Sequence, residues 1–228
     1  EWLDRFKTGL GLKKRPRIIS FSNNPYLQNS NLLGVLFDNI SNQVVIKLQY
    51  HTFTDKETRE ICFHPYLLKQ YNNRWYLIGA ADDDGKILNF ALDRIDSVTA
   101  LPEMKYKPCN EDLADRFEDI IGVTLYEDRD IEHILFWVSN RSKDYVGTKP
   151  IHGSQCQYKN EKDEEFRRQY PSLNEGAFFS IDCIPNYELI RELCSFGKDL
   201  LVMEPKSIQD DVFHHTQQMY EDYLGIRT

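Results

Sequence analysis

Between residues 44 and 101 the hydrophobic pattern repeats every second residue, and tight turns interrupt it at short intervals. "VVIKLQY" places Val44, Ile46, Leu48 and Tyr50 on one face of a strand. "TDKET" turns the chain, "REICFH" returns as a strand, Pro65 breaks it, and "YLLKQ" resumes. "YNN" leads into "RWYLIGAA", and "DDDG" carries Asp84-Gly85, a strong hairpin signal. "KILNFALDRI" and "DSVTAL" complete five or six short strands. Leu32, Leu33, Leu36, Phe37 and Ile40 recur at helical spacing, which predicts a helix over about 28–40. One helix followed by short strands with tight connections suggests a small barrel of the SH3 or Sm type.

A second pattern follows a linker. "NEDLADRFEDIIG" aligns Leu113, Phe117, Ile120 and Ile121 on one stripe, with Gly122 placed to stop the helix. "IEHILFWV" is a strand, and "SNRSKDYVG" is a short helix opened by Ser139 or Asn140. "SQCQYK" is a further strand, and "EKDEEFRRQYPSLNEG" reads as a charged loop. "AFFSIDCI", "NYELIRELCSFG" and "DLLVME" read as strand, helix and strand. A last helix opens after Pro205, with Ser207 as N-cap and Asp210 three residues on. The order β-α-β-β-α-β is that of a ferredoxin-like α+β sandwich. The expected layout is a linker-helix stub and basic segment at 1–30, a barrel at 31–102, a helical linker at 103–125 and the sandwich at 126–228.

Charge supports two different surfaces. Residues 1–102 hold 13 Lys/Arg against 11 Asp/Glu, whereas 103–228 hold 15 against 25, so an anionic ligand should prefer the first half. Five scattered cysteines without a CxxC motif fit reduced thiols in a cytoplasm. Adjacent His214 and His215 point about 100° apart on a helix, so they do not converge on a metal. Apolar runs such as "VVI" and "ILFWV" fall far short of the ~20 residues a membrane-spanning helix needs. The first residue is Glu1, as expected of a fragment whose N-terminal part is missing.

No GxSxG, HExxH, GxxxxGK[ST] or GxGxxG motif is present, and no catalytic residue, metal or cofactor is expected. Asp82 to Asp84 read as turn formers. What remains is a cationic and aromatic cluster on pairing strands: Tyr50, His51, His64, Tyr66, Arg74, Trp75, Tyr76, Phe90 and Arg94. A guanidinium offers a planar fork for phosphate or carboxylate. Flat rings offer stacking platforms for bases. Trp75, Leu77 and Phe90 fit a barrel core, Tyr50 and Tyr76 fit either role, and His64 before Pro65 also fits a satisfied core histidine. Arg74 at a turn edge fits a solvated residue. Arg94 sits in the apolar segment "FALDRI" and needs an anionic partner. Trp2, Leu3 and Phe6 make a short apolar face with too little chain to bury it.

The stretch "YHTFTDKETREICFHPYLLKQYNNRWYLIGA", with "NFALDRIDSV", resembles the WYL domain. Trp75, Tyr76 and Leu77 form the triplet that names the family. Tyr50 ends the first long strand, Pro65 precedes the second hairpin, and Phe90 to Ile95 match its F-x-L-D-R-I segment. The second half is similar to the extension domain that often follows WYL. The resemblance implies a bacterial transcription regulator in which the barrel senses a nucleotide or single-stranded nucleic acid. Mapped by motif, its ligand residues would be Tyr50, Tyr76 and Arg94, with His64 beside them, and Trp75, Leu77, Pro65 and Phe90 as structural positions; the cationic cluster adds Arg74 as a further ligand-binding candidate. It also implies a homodimer and operator DNA bound through a winged helix-turn-helix, a segment not legible in this sequence. A stand-alone accessory protein binding RNA or a protein partner, for example in phage defence, is the alternative.

Overall fold

The structure is a computed structural model that describes residues 29, 31–53, 57–82, 85–126, 128–173 and 175–227. The expected stub at 1–12, the basic run at 13–17, and Asp83 and Asp84 of the hairpin turn lie outside the described residues.

Helix α1 (Leu32–Ser41) buries Leu36 and leads into five antiparallel strands. These are β1 (Val45–Tyr50), β2 (Arg59–Tyr71), β3 (Arg74–Ala81), β4 (Ile87–Ala91) and β5 (Ile95–Leu101), in the order β4-β3-β2-β1-β5. No backbone ladder joins the edges β4 and β5, so this is an open sheet and not the closed barrel expected. The sheet curls nonetheless, and side chains fill the gap where a ladder would be. The ring of Tyr50 on β1 meets that of Phe90 on β4 at 4.6 Å, and Phe90 meets Phe63 at 5.1 Å. With Leu36, Ile46, Leu48, Leu77, Leu92 and Ile95 these rings make one core, against which Trp75 packs.

Two sequence expectations fail here for local reasons. Pro65 does not break β2, which runs through it. β1 pairs with β2 only as far as Phe63, so beyond that point β2 has β3 as its single neighbour. A residue without an N–H is tolerated there, and the register shifts between Pro65 and Leu67 as expected of a bulge. The "FALDRI" segment is not one strand either: Leu92–Arg94 form a 3₁₀ turn between β4 and β5.

The second sheet contains β6 (Glu132–Val138), β7 (Cys156–Gln157), β8 (Ala177–Cys183) and β9 (Leu200–Glu204), ordered β7-β8-β6-β9 and antiparallel throughout. Alternation along β6 sends Ile134, Phe136 and Val138 into one core and Leu135 and Trp137 into another. The first core is covered by α3 (Lys143–Thr148), α5 (Tyr187–Ser195) and the start of α6 (Lys206–Arg227). The second is covered by α4 (Asn160–Gln169), which occupies part of the expected charged loop. That helix buries Phe166 alone and is laced by the Asp163–Arg167 pair at 2.6 Å, four residues apart. The last helix begins at Lys206, one residue before the expected cap, with the Pro205 carbonyl accepting from Gln209 N.

The linker joins the two cores. In α2 (Leu113–Glu118), capped by Asp112, Leu113 and Phe117 pack with Ile120 beneath Ile78 of β3. The next residue, Ile121, enters the core of the second sheet. Gly122 has φ +88, and a Cβ there would meet the side chain of Glu188.

Candidate functional site

The 3₁₀ turn Leu92–Arg94 sits where the edges of the first sheet part. It is pinned from outside: the Asn29 amide donates to the carbonyls of Leu92 and Ile95 at 3.2 and 2.9 Å. His51 N donates to the Arg94 carbonyl at 3.2 Å, and the His51 ring meets Asp96 at 3.1 Å. The turn therefore holds Asp93 and Arg94 in fixed positions beside the end of β1.

The guanidinium of Arg94 lies 5.3 Å from the ring centre of Tyr50 and 4.9 Å from that of Phe53. Arg94 Nε is buried and has no hydrogen-bond partner, and among the described residues Arg94 makes no ion pair. Flat rings stabilise this cation through their electron-rich faces, but a ring accepts no in-plane N–H bond. Arg74 opens β3 nearby, 5.9 Å from the same Phe53 ring. It pairs with Asp93 at 3.2 Å, so its charge is already matched. Asp93 Oδ1 is buried without a partner. Two arginines thus flank one exposed phenylalanine, and among the described residues Arg94 is the one without an ion pair.

Tyr50 is nearly buried, and its ring is fixed edge-on against Phe90. Burial pushes its phenol above the ordinary value, against the pull of the Arg94 guanidinium and a hydrogen bond from the Ala91 backbone. Tyr76, opposite Ala91 in the ladder, lies within electrostatic reach of both Tyr50 and Tyr71. By register Tyr50 and Arg74 lie at opposite ends of β2, and the curl of the sheet brings Tyr50, Arg74, Tyr76 and Arg94 together around its gap.

His64 does not join them. It is fully buried, and its Nδ1 accepts from Lys107 N at 3.2 Å. Nε2 then carries the proton and donates to Asp82 Oδ1 at 3.0 Å. Lys107 Nζ also pairs with Asp82 at 2.7 Å, and Tyr106 OH donates to the Pro65 carbonyl at 2.7 Å. Burial pushes the Tyr106 phenol up to about 12. His64 and Pro65 thus belong to a strap that ties the chain after β5 back onto β2. Trp75, Leu77 and Phe90 lie in or against the core of the first sheet.

Phe53 is the residue that sequence reasoning missed. It is 71% exposed in a polar loop. An exposed aromatic in "HTFTDKET" was a signal, but its place between two guanidiniums needed the fold. Two cavities, of about 300 and 820 Å³, lie elsewhere, along the crevice between the linker and the second sheet; Tyr71, Ile121 and Ile151 line both.

A pinned turn thus holds a guanidinium between two aromatic rings at the gap of a small curled sheet. Residues 31–100 match the WYL domain. No curated protein matches the chain. Among solved structures, proteasome accessory factor B/C (PafBC) of Arthrobacter aurescens is 13% identical over 84% of this chain and 27% of its own, with a TM-score of 0.32. A CRISPR Cas-related protein is 12% identical over 83% of this chain and 50% of its own, with a TM-score of 0.48. The chain therefore spans between about a quarter and a half of those two proteins. Among the described residues no helix is long and apolar enough to cross a membrane.

Proposed function

We propose that this chain is the ligand-sensing regulatory region of a WYL-type transcription regulator. It binds a nucleotide or a short single-stranded nucleic acid at the open end of the first sheet, and so biases an attached DNA-binding segment. Arg94 receives a phosphate, Phe53 and Tyr76 offer faces for bases, Tyr50 backs the guanidinium, and Arg74 lies alongside. The first sheet is read as a small SH3-like unit. The second is read as a ferredoxin-like sandwich, supported by its helix-separated strands and antiparallel order. The chain is a binding module of the cytoplasm and not an enzyme. Its mechanism is a population shift, in which the effector favours whichever arrangement it binds better.

The observation that carries this reading is the buried, unpartnered Nε of Arg94 beneath an exposed ring. Leaving such a donor unmatched costs about 1–3 kcal/mol; an anionic oxygen would be met by the terminal nitrogens of the same guanidinium, through charge-assisted hydrogen bonds that the rings do not supply. The test is binding of labelled single-stranded oligonucleotides and of common nucleotides, with duplex DNA as control. Arg94→Ala should weaken oligonucleotide binding at least about tenfold while the circular dichroism stays unchanged. The affinity should fall with salt, with a logarithmic slope of about −0.7 per phosphate engaged. Equal binding by the native chain, Arg94→Ala and Phe53→Ala would refute this site.

A further inference from the structure

The hairpin of β2 and β3 ends between the two halves of the molecule. The ladder between β1 and β2 ends at Phe63, and the ladder between β3 and β4 ends at Tyr76, which faces Ala91. Beyond those points Gln70 pairs with Trp75 and Tyr71 with Arg74, and among the described strands neither pair has a further neighbour. A two-stranded ribbon is marginal in water by itself, so side chains hold this tip. Trp75 packs against the core of the first sheet, and Tyr71 packs against the core of the second. Arg74, the ladder partner of Tyr71, pairs with Asp93 of the 3₁₀ turn at 3.2 Å. Only Asn72 and Asn73 lie between Tyr71 and Arg74, with φ +46 and +59. Two left-handed residues in succession make a tight two-residue hairpin turn, which has no slack, so its two sides move as one piece. Tyr71 has room to move: its ring lines both cavities of the crevice, of about 300 and 820 Å³. Burial pushes its phenol above the ordinary value, and the charges of Glu192 and Glu188 on α5 add to that. The linker also joins the two sheets, but through Ile78, which is fully buried and paired with Asn89 of β4. That joint is close-packed and fixed.

We propose that Tyr71 is the residue through which the effector site acts on the second sheet. The proposal rests on the reading of Arg74 and Arg94 as the place where an anionic effector binds. A phosphate beside Arg74 competes with Asp93 for the guanidinium. The pull of the 3₁₀ turn on the hairpin tip then changes, and the two-residue turn passes the shift across the ladder to Tyr71. The ring resettles against Ile121, Ile151 and Phe196, which line the crevice with it, and α5 responds. Tyr71 is a positioning residue and touches no ligand. The effector needs no contact with the second sheet: it has only to bind the two positions of the tip unequally.

Amide hydrogen exchange of the whole chain, read over α5 by mass spectrometry, tests this. Saturating single-stranded oligonucleotide should change exchange there at least about fivefold. In Tyr71→Ala that change should vanish, while the Arg94 turn still gains protection from the oligonucleotide. Tyr71→Phe, which keeps the ring, should keep the response. Inserting two glycines between Asn72 and Asn73 should abolish it with both cores intact, and this variant serves where Tyr71→Ala does not fold. A second arm needs no ligand. Asp93→Asn frees Arg74 from its partner, and should alter exchange over α5 in the native background but not beside Tyr71→Ala or in the lengthened hairpin. An oligonucleotide that fails to bind while the Asp93 arm behaves as expected would remove the effector site and leave Tyr71 as the coupling. Bound oligonucleotide that leaves α5 unmoved, an α5 indifferent to Asp93→Asn, or a response that survives loss of the ring would each overturn the coupling.

Discussion

The two sheets solve the same problem with different degrees of closure. The second is covered on both faces: helices α3, α5 and α6 bury one side of β6, and α4 buries the other. Among its polar groups Asp199 accepts from Ser139 and Asn186 accepts from Leu189 N, while Trp137 Nε1 and Glu188 Oε2 are buried without a partner. The first sheet is covered by α1 on its core side and by the linker on part of the other. Its open end keeps an exposed ring, a buried donor without a partner and a buried carboxylate oxygen without one. What separates the two is therefore not the number of buried unpartnered atoms but where they lie: in the second sheet they are covered by helices, in the first they sit beside an exposed ring. The linker couples them, because Ile120 and Ile121 are neighbours in the chain and sit in different cores.

The sharpest way to break this contrast is to damage the helix-covered sheet. Phe136 is fully buried and stacks on Phe179 with ring centres 5.8 Å apart. Phe136→Ala should cost about 3–5 kcal/mol in urea unfolding, and the fraction still folded should bind oligonucleotide with native affinity. Altered affinity would mean that the second sheet shapes the groove. Next comes His64. His64→Leu removes the acceptor of Lys107 N and the donor to Asp82, for an expected loss of about 1–3 kcal/mol. Effector affinity should hold. If affinity collapsed while the fold survived, His64 would belong with the ligand residues that the family resemblance assigned to it, and the strap account would fail.

Asp93 sharpens the contrast within the open end itself. It pairs with Arg74 at 3.2 Å, while Arg94 has no ion pair among the described residues. Asp93→Asn should release a second cation beside Phe53, raise affinity for an oligonucleotide a few-fold and steepen the salt dependence by about one phosphate's share. Titrations at several salt concentrations would read this directly, and an unchanged slope would place Arg74 outside the bound strand's path.

How much of this was legible in the sequence depended on whether the determining contact was local. β1 and β3 followed from alternation, and the Trp75-Tyr76-Leu77 triplet put Leu77 and Trp75 on the core side. Arg94 stood out as a charge in an apolar run, although its segment is a 3₁₀ turn. Pro65 misled because a breaker matters only where a neighbour needs its N–H, and that depends on where β1 stops. The helix α4 was hidden because one buried residue, Phe166, makes no stripe. Phe53 could not be placed because its partners, Arg74 and Arg94, are brought to it by sheet register and a turn. The apolar stripe of α6, Phe213, Tyr220, Tyr223 and Leu224, was present in the pattern, but a stripe does not say whether a core awaits it, and these side chains are exposed.

The smallest expected effect concerns pH and the strap. The Lys107 ammonium, and after it His64, hydrogen-bonds the Asp82 carboxylate and holds it below the ordinary carboxylate value of 3.8. A lowered value means that the folded chain favours the charged form. The resulting stabilisation is complete above the unfolded value and is lost as pH falls through the folded one. Asp82 is half-exposed, so the contribution is modest. Asp82→Asn should therefore melt slightly below the native chain at neutral pH, and the gap should close as the solution is taken below about pH 4. Melting curves of both chains from pH 7 downward would check it. A gap that widened on acidification would mean that Asp82 is not charged in the strap, and that His64 holds its proton on the other nitrogen.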